Sequence, residues 1–188
     1  MNDRTHNGGD KLRKGRNSIP FARYFITLCV RNRVPKLTSG QIQSSIRQIL
    51  REMHLKQDIE VICGTIMPDH FHVLYRLLDR LSLSQVQAKI KSKTKPDLTK
   101  LGIEWQENFY DHRLRMQVPM ERFALYIFLN PYRKQLIRSD EIWPYWFFNR
   151  EQRPEFTPHL LKGDVPPAEW LRAPDSAQDL IDADLGEI

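Results

Sequence analysis

Cysteine is scarce in this 188-residue sequence, and long apolar runs are missing from it. Cys29 and Cys63 each stand in an apolar run without a nearby Cys or His, which excludes a disulfide framework and a cysteine zinc site. Nowhere do about 18 apolar residues follow one another, and no apolar segment follows the basic N-terminus. We therefore expect a cytoplasmic protein without a membrane span or secretory signal.

Acidic residues are scarce before residue 163. Residues 1–162 carry 28 Lys and Arg against 16 Asp and Glu, a net +12, whereas residues 163–188 carry seven acids against one base, a net −6. A body this basic suits a polyanion such as nucleic acid, because each cation that meets a phosphate releases counterions. Charge alone leaves a merely soluble basic protein equally open. We expect the acidic end to be a solvated, disordered tail, or alternatively to compete with DNA for its groove.

Three regions follow one another along the chain. Residues 1–18 are polar, basic and glycine-containing, as is typical of a flexible arm, residues 19–138 hold the regular patterns, and residues 139–188 are first aromatic and then acidic. The predicted elements are strands at 21–30, 59–67, 70–77 and 105–116 and helices at 41–57, 81–95 and 119–131. This order predicts an α+β, ferredoxin-like (split βαβ) fold, with a four-stranded antiparallel sheet, two helices on one face and an extra helix.

Two histidines interrupt the most apolar part of the chain, "VICGTIMPDHFHVLYRL". Strand alternation places Phe71, Val73, Tyr75 and Leu77 on one face, which we expect to be the core, and His70, His72, Leu74 and Arg76 on the other. Two imidazoles on one face can converge on a cation. Alternatively, both are ordinary histidines with satisfied nitrogens.

A tyrosine and an asparagine lie four residues apart in "ALYIFLNPYR". On a helix this spacing places Tyr126 and Asn130 on the same face, one turn from each other. Because Asn130 precedes Pro131, we expect the helix to kink or end there. A phenol can act as a covalent nucleophile and an amide oxygen can bind a hard cation. The alternative is that Tyr126 is an amphipathic neighbour of the core with a wet hydroxyl.

The stretch "WQENFYDHRLR" mixes aromatic and basic residues. Alternation places Phe109, Asp111, Arg113 and Arg115 on one side of the strand and Tyr110, His112 and Leu114 on the other. Arginines interleaved with aromatic rings can hold phosphates and stack bases. An edge strand with its charges in water is the alternative.

Together, "MPDHFHVL", "WQENFYDHRLR" and "YIFLNPYRKQLI" resemble the single-tyrosine transposases named for a histidine-hydrophobic-histidine (HUH) motif, and most of all the REP-associated tyrosine transposases. The resemblance covers Phe21 to Ile137. It implies that His70, His72 and Asn130 bind a divalent metal, Mg²⁺ or Mn²⁺. It also implies that Tyr126 attacks a phosphate of single-stranded DNA, leaving a 5′-phosphotyrosine and a free 3′-hydroxyl.

The resemblance further implies a partner, a single strand with a hairpin from a repetitive palindrome, and an enzyme that is a monomer or homodimer. Basic residues that we expect to contact this DNA are Lys11, Arg13, Lys14, Arg16, Arg76, Arg113, Arg115 and Arg133. A non-catalytic nucleic-acid-binding module is the alternative function. The chain departs from the family at Lys134 and Gln135, where small residues are usual, so we expect a more helical turn. Asp69 stands where Asn is frequent.

Overall fold

The computed structural model describes residues 18–117, 119–172 and 176–186. The strands in these ranges are β1 (Arg23–Cys29), β2 (Ile59–Ile66), β3 (His70–Leu77), β4 (Tyr110–Arg113) and β5 (Trp146–Phe148). The α-helices are α1 (Ile42–Leu55), α2 (Leu83–Lys100), α3 (Met120–Arg133) and α4 (Ala177–Gly186). Short 3₁₀ helices lie at Arg31–Arg33, Arg150–Gln152, Thr157–His159 and Ala168–Arg172. The predicted basic arm lies outside the described residues, except for Ser18.

The sheet is antiparallel throughout, with the strand order β4-β1-β3-β2-β5. Strands β1 to β4 lie in the order β4-β1-β3-β2, which a split βαβ unit produces, so the predicted α+β fold is confirmed. The sheet has five strands within the described residues, however, and not the four we predicted. Gly64 allows the fifth, because a Cβ at this position would lie 2.5 Å from a ring carbon of Phe147. A strand of three residues, paired with β2 and packed over Gly64, is too short to show a periodicity from which to predict it.

Helices α1 and α2 cover one face of the sheet. Ile42, Ile46, Ile49, Leu50 and Met53 of α1 are all buried there, as their spacing predicts. The same cluster contains Phe71, Val73, Tyr75 and Leu77 of β3, which confirms the predicted core face.

Either Ser82 or Ser84 can cap the start of α2 by its sequence, and in the structure the cap is Ser82. The Ser82 side chain accepts a hydrogen bond from the Gln85 N–H, and the Gln85 side chain accepts one from the Ser82 N–H. The helix then continues through Pro96 to Lys100, beyond the predicted end at Lys95. Leu98, buried in the α1/α2 core, supplies the packing that keeps the last turn helical.

Helices α3 and α4, together with residues of the segment after β5, cover the other face. Phe25 of β1 and Leu74 of β3 meet Phe123 and Phe128 of α3 in a second core. The prediction that α3 ends or kinks at Asn130 is wrong in part, since the helix runs through Pro131 to Arg133. Pro131 and Tyr132 are buried, and their packing outweighs the backbone hydrogen bond that proline cannot make.

The turn after α3 is less helical than predicted, because Gln135 has a left-handed backbone with φ +54°. Strand β4 is also shorter than predicted, and Trp105 forms only an isolated bridge with Val30.

The acidic end was expected to be a solvated tail, and for residues 177–186 this is wrong. They form helix α4, whose Leu180 and Ile181 are buried in the second core. Asp184 is fully buried and pairs with His112 of β4. This hydrogen bond could not be predicted, because 72 residues separate the two partners. No helix among the described residues combines the length and apolarity needed to cross a membrane.

Candidate active site

An open pocket of about 870 Å³ lies at one end of β1 and β3, beneath α3 and the start of α4. Its wall contains all four residues singled out as chemical candidates: His70, His72, Tyr126 and Asn130. Strand β3 supplies the two histidines and α3 supplies the other two side chains. The fold therefore brings together residues that are up to 60 positions apart in the chain.

The two imidazoles converge. His70 Nε2 and His72 Nε2 lie 3.1 Å apart, while the other nitrogen of each ring has its own partner. His70 Nδ1 is 2.6 Å from Asp69 Oδ1, and because a carboxylate only accepts, Nδ1 carries the proton. His72 Nδ1 is 2.8 Å from Thr27 Oγ1, which can accept from it in the same way. With the ring protons on Nδ1, both Nε2 atoms carry lone pairs, and these two atoms are neighbours.

Burial keeps His72 in the form that can bind a cation. Its side chain is 4% exposed and its ring stacks on Phe25, with centroids 5.2 Å apart. Desolvation places the pKa of His72 well below its usual 6.5, and the neighbouring His70 lowers it further. The Asp69 carboxyl beside it has a lowered pKa, mainly because of its hydrogen bond to His70, so it stays ionised. At neutral pH the pocket therefore contains an uncharged His72 imidazole and an ionised Asp69 carboxylate, which is bound to His70.

Asn130 completes the cluster from α3. It is 3% exposed, and its Nδ2 lies 3.3 Å from His72 Nε2. Its Oδ1 is buried without a hydrogen-bond partner among the described residues. Rotating the amide by half a turn would place this oxygen toward the two imidazoles. A buried amide oxygen without a partner is costly, which is the property expected of an atom that awaits a ligand.

Tyr126 packs against the same cluster. Its ring meets His72 and Phe25 edge-on, at centroid distances of 5.7 and 5.9 Å. Burial raises its pKa, while hydrogen bonds from the Asn130 side chain and the Ala177 N–H, and the positive charge of Arg133, lower it. The net shift is upward, so the phenol is protonated at neutral pH. The hydroxyl therefore has hydrogen-bond partners within the protein and not only water.

The donor set fits a divalent cation. Two imidazole nitrogens and one amide oxygen are borderline and hard donors that Mn²⁺ and Mg²⁺ accept, although imidazole suits Mn²⁺ better. In the described ranges no three His, Cys, Asp or Glu side chains cluster in a way that could hold a metal ion. Any cation here therefore depends on Asn130 as well as on the histidines. The 3.1 Å between the two Nε2 atoms and the unpartnered Oδ1 support this assignment.

Several residues predicted to contact DNA lie away from this pocket. Arg76 is at the opposite end of β3 from His70 and pairs with Glu60 at 3.4 Å. Arg113 lies at the far end of β4, opposite Tyr24, and Arg115 follows it. Arg133 ends α3 and acts electrostatically on Tyr126. Lys11, Arg13, Lys14 and Arg16 lie outside the described residues.

Four residues of the pocket region were not identified as functional from sequence. Thr27 and Asp69 each hold one imidazole, and Arg33 and Lys134 line the wall. Arg33 also reaches Asp69, with Nη1 3.2 Å from Oδ2. Asp69, next to the first histidine, was the only one with a local signal. The role of Thr27 follows from its pairing with His72 across β1 and β3, which sequence spacing does not reveal.

A family model described as "Transposase IS200 like" matches residues 20–115, about half of the chain. The match includes β1 to β4 and both histidines and ends before α3. The protein belongs to this family of transposases.

Two curated relatives agree with the match. The chain is 23% identical to the REP-associated tyrosine transposase of Escherichia coli (strain K12) over 144 residues, which cover 76% of this chain and 86% of that protein. It is 33% identical to the ISDra2 transposase TnpA of Deinococcus radiodurans over 64 residues, 34% of this chain and 45% of that protein.

A solved structure of a REP-associated tyrosine transposase bound to a REP hairpin superimposes with a TM-score of 0.61 at 21% identity. The superposition covers 85% of this chain and 90% of that one. At this identity it establishes the shared fold.

Proposed function

We propose that this transposase-family protein is a divalent-cation-dependent endonuclease and strand transferase for single-stranded DNA that carries a hairpin. The observation that carries the proposal is the convergence of His70, His72, Asn130 and Tyr126 in one pocket. A nucleophile and three candidate ligands from two distant parts of the sequence meet at hydrogen-bonding distance or ring contact. The similarity to a REP-associated tyrosine transposase supports a palindromic hairpin as the substrate.

The metal ligands in this proposal are His70 Nε2, His72 Nε2 and Asn130 Oδ1. A cation bound there supplies positive charge to the non-bridging oxygens of the scissile phosphate. Asp69 and Thr27 keep both imidazoles in the tautomer and orientation that this binding needs. Arg33 and Lys134, on the pocket wall, contribute positive charge for the neighbouring phosphates.

Tyr126 is the nucleophile. Its Oη attacks phosphorus, a new O–P bond joins the tyrosine to the 5′-phosphate of the downstream fragment, and the P–O3′ bond breaks. The electron pair of the broken bond stays on O3′, and the phenolic proton balances it as a 3′-hydroxyl. The Ala177 N–H, directed at Oη, stabilises charge on this oxygen during the attack.

The same bonds allow the reaction to run backward. Because one phosphate ester replaces another, a 3′-hydroxyl of a second strand can attack the phosphotyrosine and release Tyr126. This step needs no nucleotide cofactor and distinguishes strand transfer from hydrolysis. We also propose that the basic arm, residues 1–18, follows the DNA backbone. Its deletion should then lower the salt dependence of DNA binding.

The decisive experiment offers a labelled single strand with a palindromic hairpin, together with Mn²⁺ or Mg²⁺, to three proteins. Wild type should form a covalent adduct that survives denaturing electrophoresis, and Tyr126→Phe should not. Tyr132→Phe is the matched control, because it removes a hydroxyl from the same helix that donates instead to the Glu141 carbonyl. It should keep the adduct.

Three outcomes would change the proposal. DNA binding by wild type without any adduct would favour the non-catalytic binding module. Cleavage that survives Tyr126→Phe would make the protein a hydrolase with a structural tyrosine. An adduct that survives Tyr126→Phe and disappears in Tyr110→Phe would move the nucleophile to the other tyrosine of the pocket.

A further inference from the structure

A second concave surface of about 550 Å³ lies on the face of the sheet covered by α1 and α2. One wall is the outer side of α2 and the other is the segment that follows it, residues 102–105. The lining residues are Ala88, Lys91, Ser92, Lys95, Leu98, Thr99, Gly102, Ile103, Glu104 and Trp105. We call it the α2 groove. None of its residues belongs to the pocket that holds Tyr126.

The floor of the α2 groove is apolar and rigid. Leu98, Ile103 and Trp105 are almost fully buried and belong to the α1/α2 core. The Trp105 indole N–H donates to Thr94 Oγ1 at 2.8 Å, and its ring meets Phe71 edge-on at 5.7 Å. A flat surface held in this way can receive a planar apolar group without first being ordered.

The rim of the α2 groove is positive. The one carboxylate that lines it, Glu104, is bound by Arg31 at 2.5 Å, so its charge is neutralised. Lys91 lies along the wall, and its Nζ donates to the carbonyls of Gln106 and Glu107 at 2.7 and 2.8 Å. Lys95 is exposed, and within the described ranges its ammonium group forms no ion pair.

A backbone acceptor lies on the same wall. Pro96 of α2 has no N–H, so the carbonyl of Ser92 lacks the donor it would have in an uninterrupted helix. Ser92 itself is exposed and lines the α2 groove.

The α2 groove adjoins the pocket around the end of the sheet. Trp105 bridges Val30, and the Gln106 N–H donates to the Cys29 carbonyl at 2.8 Å. Cys29 is in turn the β1 partner of His70. Between the two surfaces lies the short helix Arg31–Arg33, in which Arg33 lines the pocket and Arg31 holds Glu104 of the groove. Both arginines lie between the two surfaces, and both are ion-paired, Arg31 with Glu104 and Arg33 with Asp69.

We infer that the α2 groove binds one unpaired nucleotide of the DNA strand whose phosphate enters the pocket. The base lies on the floor of Leu98, Ile103 and Trp105, and its phosphate faces Lys95. This inference rests on the proposed function, because it takes single-stranded DNA as the substrate. Proteins that bind single-stranded DNA without sequence preference combine an apolar surface for the base with a positive charge for the phosphate.

The experiment compares a hairpin oligonucleotide with the same hairpin carrying five unpaired thymidines on its 5′ or 3′ side. Fluorescence anisotropy gives the affinity of each at several salt concentrations. Wild type should bind one extended hairpin more tightly than the blunt one. In Lys95→Gln the salt slope for this extended hairpin should fall by about one, with no change for the blunt hairpin.

The matched control is Lys93→Gln, an exposed lysine of the same helix that does not line the groove. It removes the same charge and should leave the preference for the extended hairpin as in wild type. Ser92→Trp tests the floor without a change of charge. Because Ser92 is exposed, the variant should fold, fill the groove and abolish the preference.

The outcomes separate the two claims. Suppose that wild type prefers an extended hairpin. If Lys95→Gln and Ser92→Trp keep that preference, the groove is not the binding site. The same conclusion follows if Lys93→Gln loses the preference as completely as Lys95→Gln does. Equal affinity of wild type for blunt and extended hairpins also overturns the inference. Failure of the proposed function is recognised differently, by the absence of a covalent adduct from wild type with every oligonucleotide.

Discussion

Two neighbouring residues of β3 show how differently the two faces of the sheet are built. Phe71 points into the α1/α2 core, where it contacts Trp105. His72, the next residue, points to the other face, where it is equally buried but meets a hydroxyl, an imidazole and an amide. One strand thus carries a core made for packing and a pocket made of polar groups.

The two faces differ in whether their buried polar atoms form hydrogen bonds. Around His72, the Thr65 hydroxyl and the Asn130 carbonyl oxygen have no hydrogen-bond partner within the described ranges. Each such atom costs about 1–3 kcal/mol in the folded state. Packing in the two cores offsets this cost, so within β3 we expect stability to depend mainly on Phe71 and the proposed chemistry on His72. Four predictions test this division.

The largest effect is expected on the packed face. Phe71→Ala should lower the free energy of unfolding by about 3–5 kcal/mol, because it opens a cavity beside Trp105. His72→Gln, one residue away, should cost about 1 kcal/mol and abolish adduct formation. Urea unfolding and the adduct assay measure the two effects. Equal destabilisation by both variants would contradict the division.

The next largest effect on the free energy of unfolding is expected where α4 packs against the face of the sheet that holds the pocket. Asp184→Asn should lower the free energy of unfolding by about 2 kcal/mol, because it weakens a fully buried hydrogen bond to His112. Asp182→Asn is the control. This residue of α4 is exposed, so the change should fall within about 0.5 kcal/mol. Thermal and urea unfolding of both variants measure the difference, and similar losses would mean that the pair adds nothing.

A smaller effect appears with pH. The pKa of His72 is well below 6.5 in the folded protein, mainly because of desolvation, whereas the unfolded chain has a pKa near 6.5. Below that pH only the unfolded state takes up this proton, so stability falls as pH falls. The contribution is about 1.4 kcal/mol per pH unit until the folded pKa is reached. Urea unfolding of metal-free wild type at several pH values should show this slope. If His72→Gln shows the same dependence of the free energy of unfolding on pH, the slope does not come from His72.

The smallest effect compares the two ends of the site face. Lys134→Gln, at the pocket wall, should weaken binding of the hairpin oligonucleotide about threefold and lower its salt slope by about one. Arg76→Gln should change affinity less, since Arg76 is engaged by Glu60 and lies at the far end of β3. Anisotropy titrations at two salt concentrations measure both. A larger loss for Arg76→Gln would place a DNA contact at that end.

Local patterns predicted much of the fold. The spacing of Ile42, Ile46 and Ile49 marks α1, the serine at 82 caps α2, and alternation along β3 correctly separates Phe71 from His72. These signals lie within a few residues of each other, where side-chain direction follows directly from helix or strand geometry.

What sequence patterns missed depends on distant contacts. Strand β5 forms because Phe147 packs over Gly64, and α4 is held by buried apolar residues and a carboxylate in a stretch that reads as acidic and exposed. In the site, the nucleophile and ligand candidates are visible in the sequence, but the groups that orient them are not. Thr27 is a threonine in a strand like any other until the register of β1 on β3 places it against His72.

That register also determines when the site can form. Strands β2 and β3 are joined by three residues, so their hairpin closes locally, whereas the bond between Thr27 and His72 links residues 45 positions apart. Asn130 lies 58 positions after His72 and joins the site only when α3 packs against the sheet. A ligand that needs His70, His72 and Asn130 together therefore binds the folded chain and not the unfolded one, and raising its concentration should raise the free energy of unfolding.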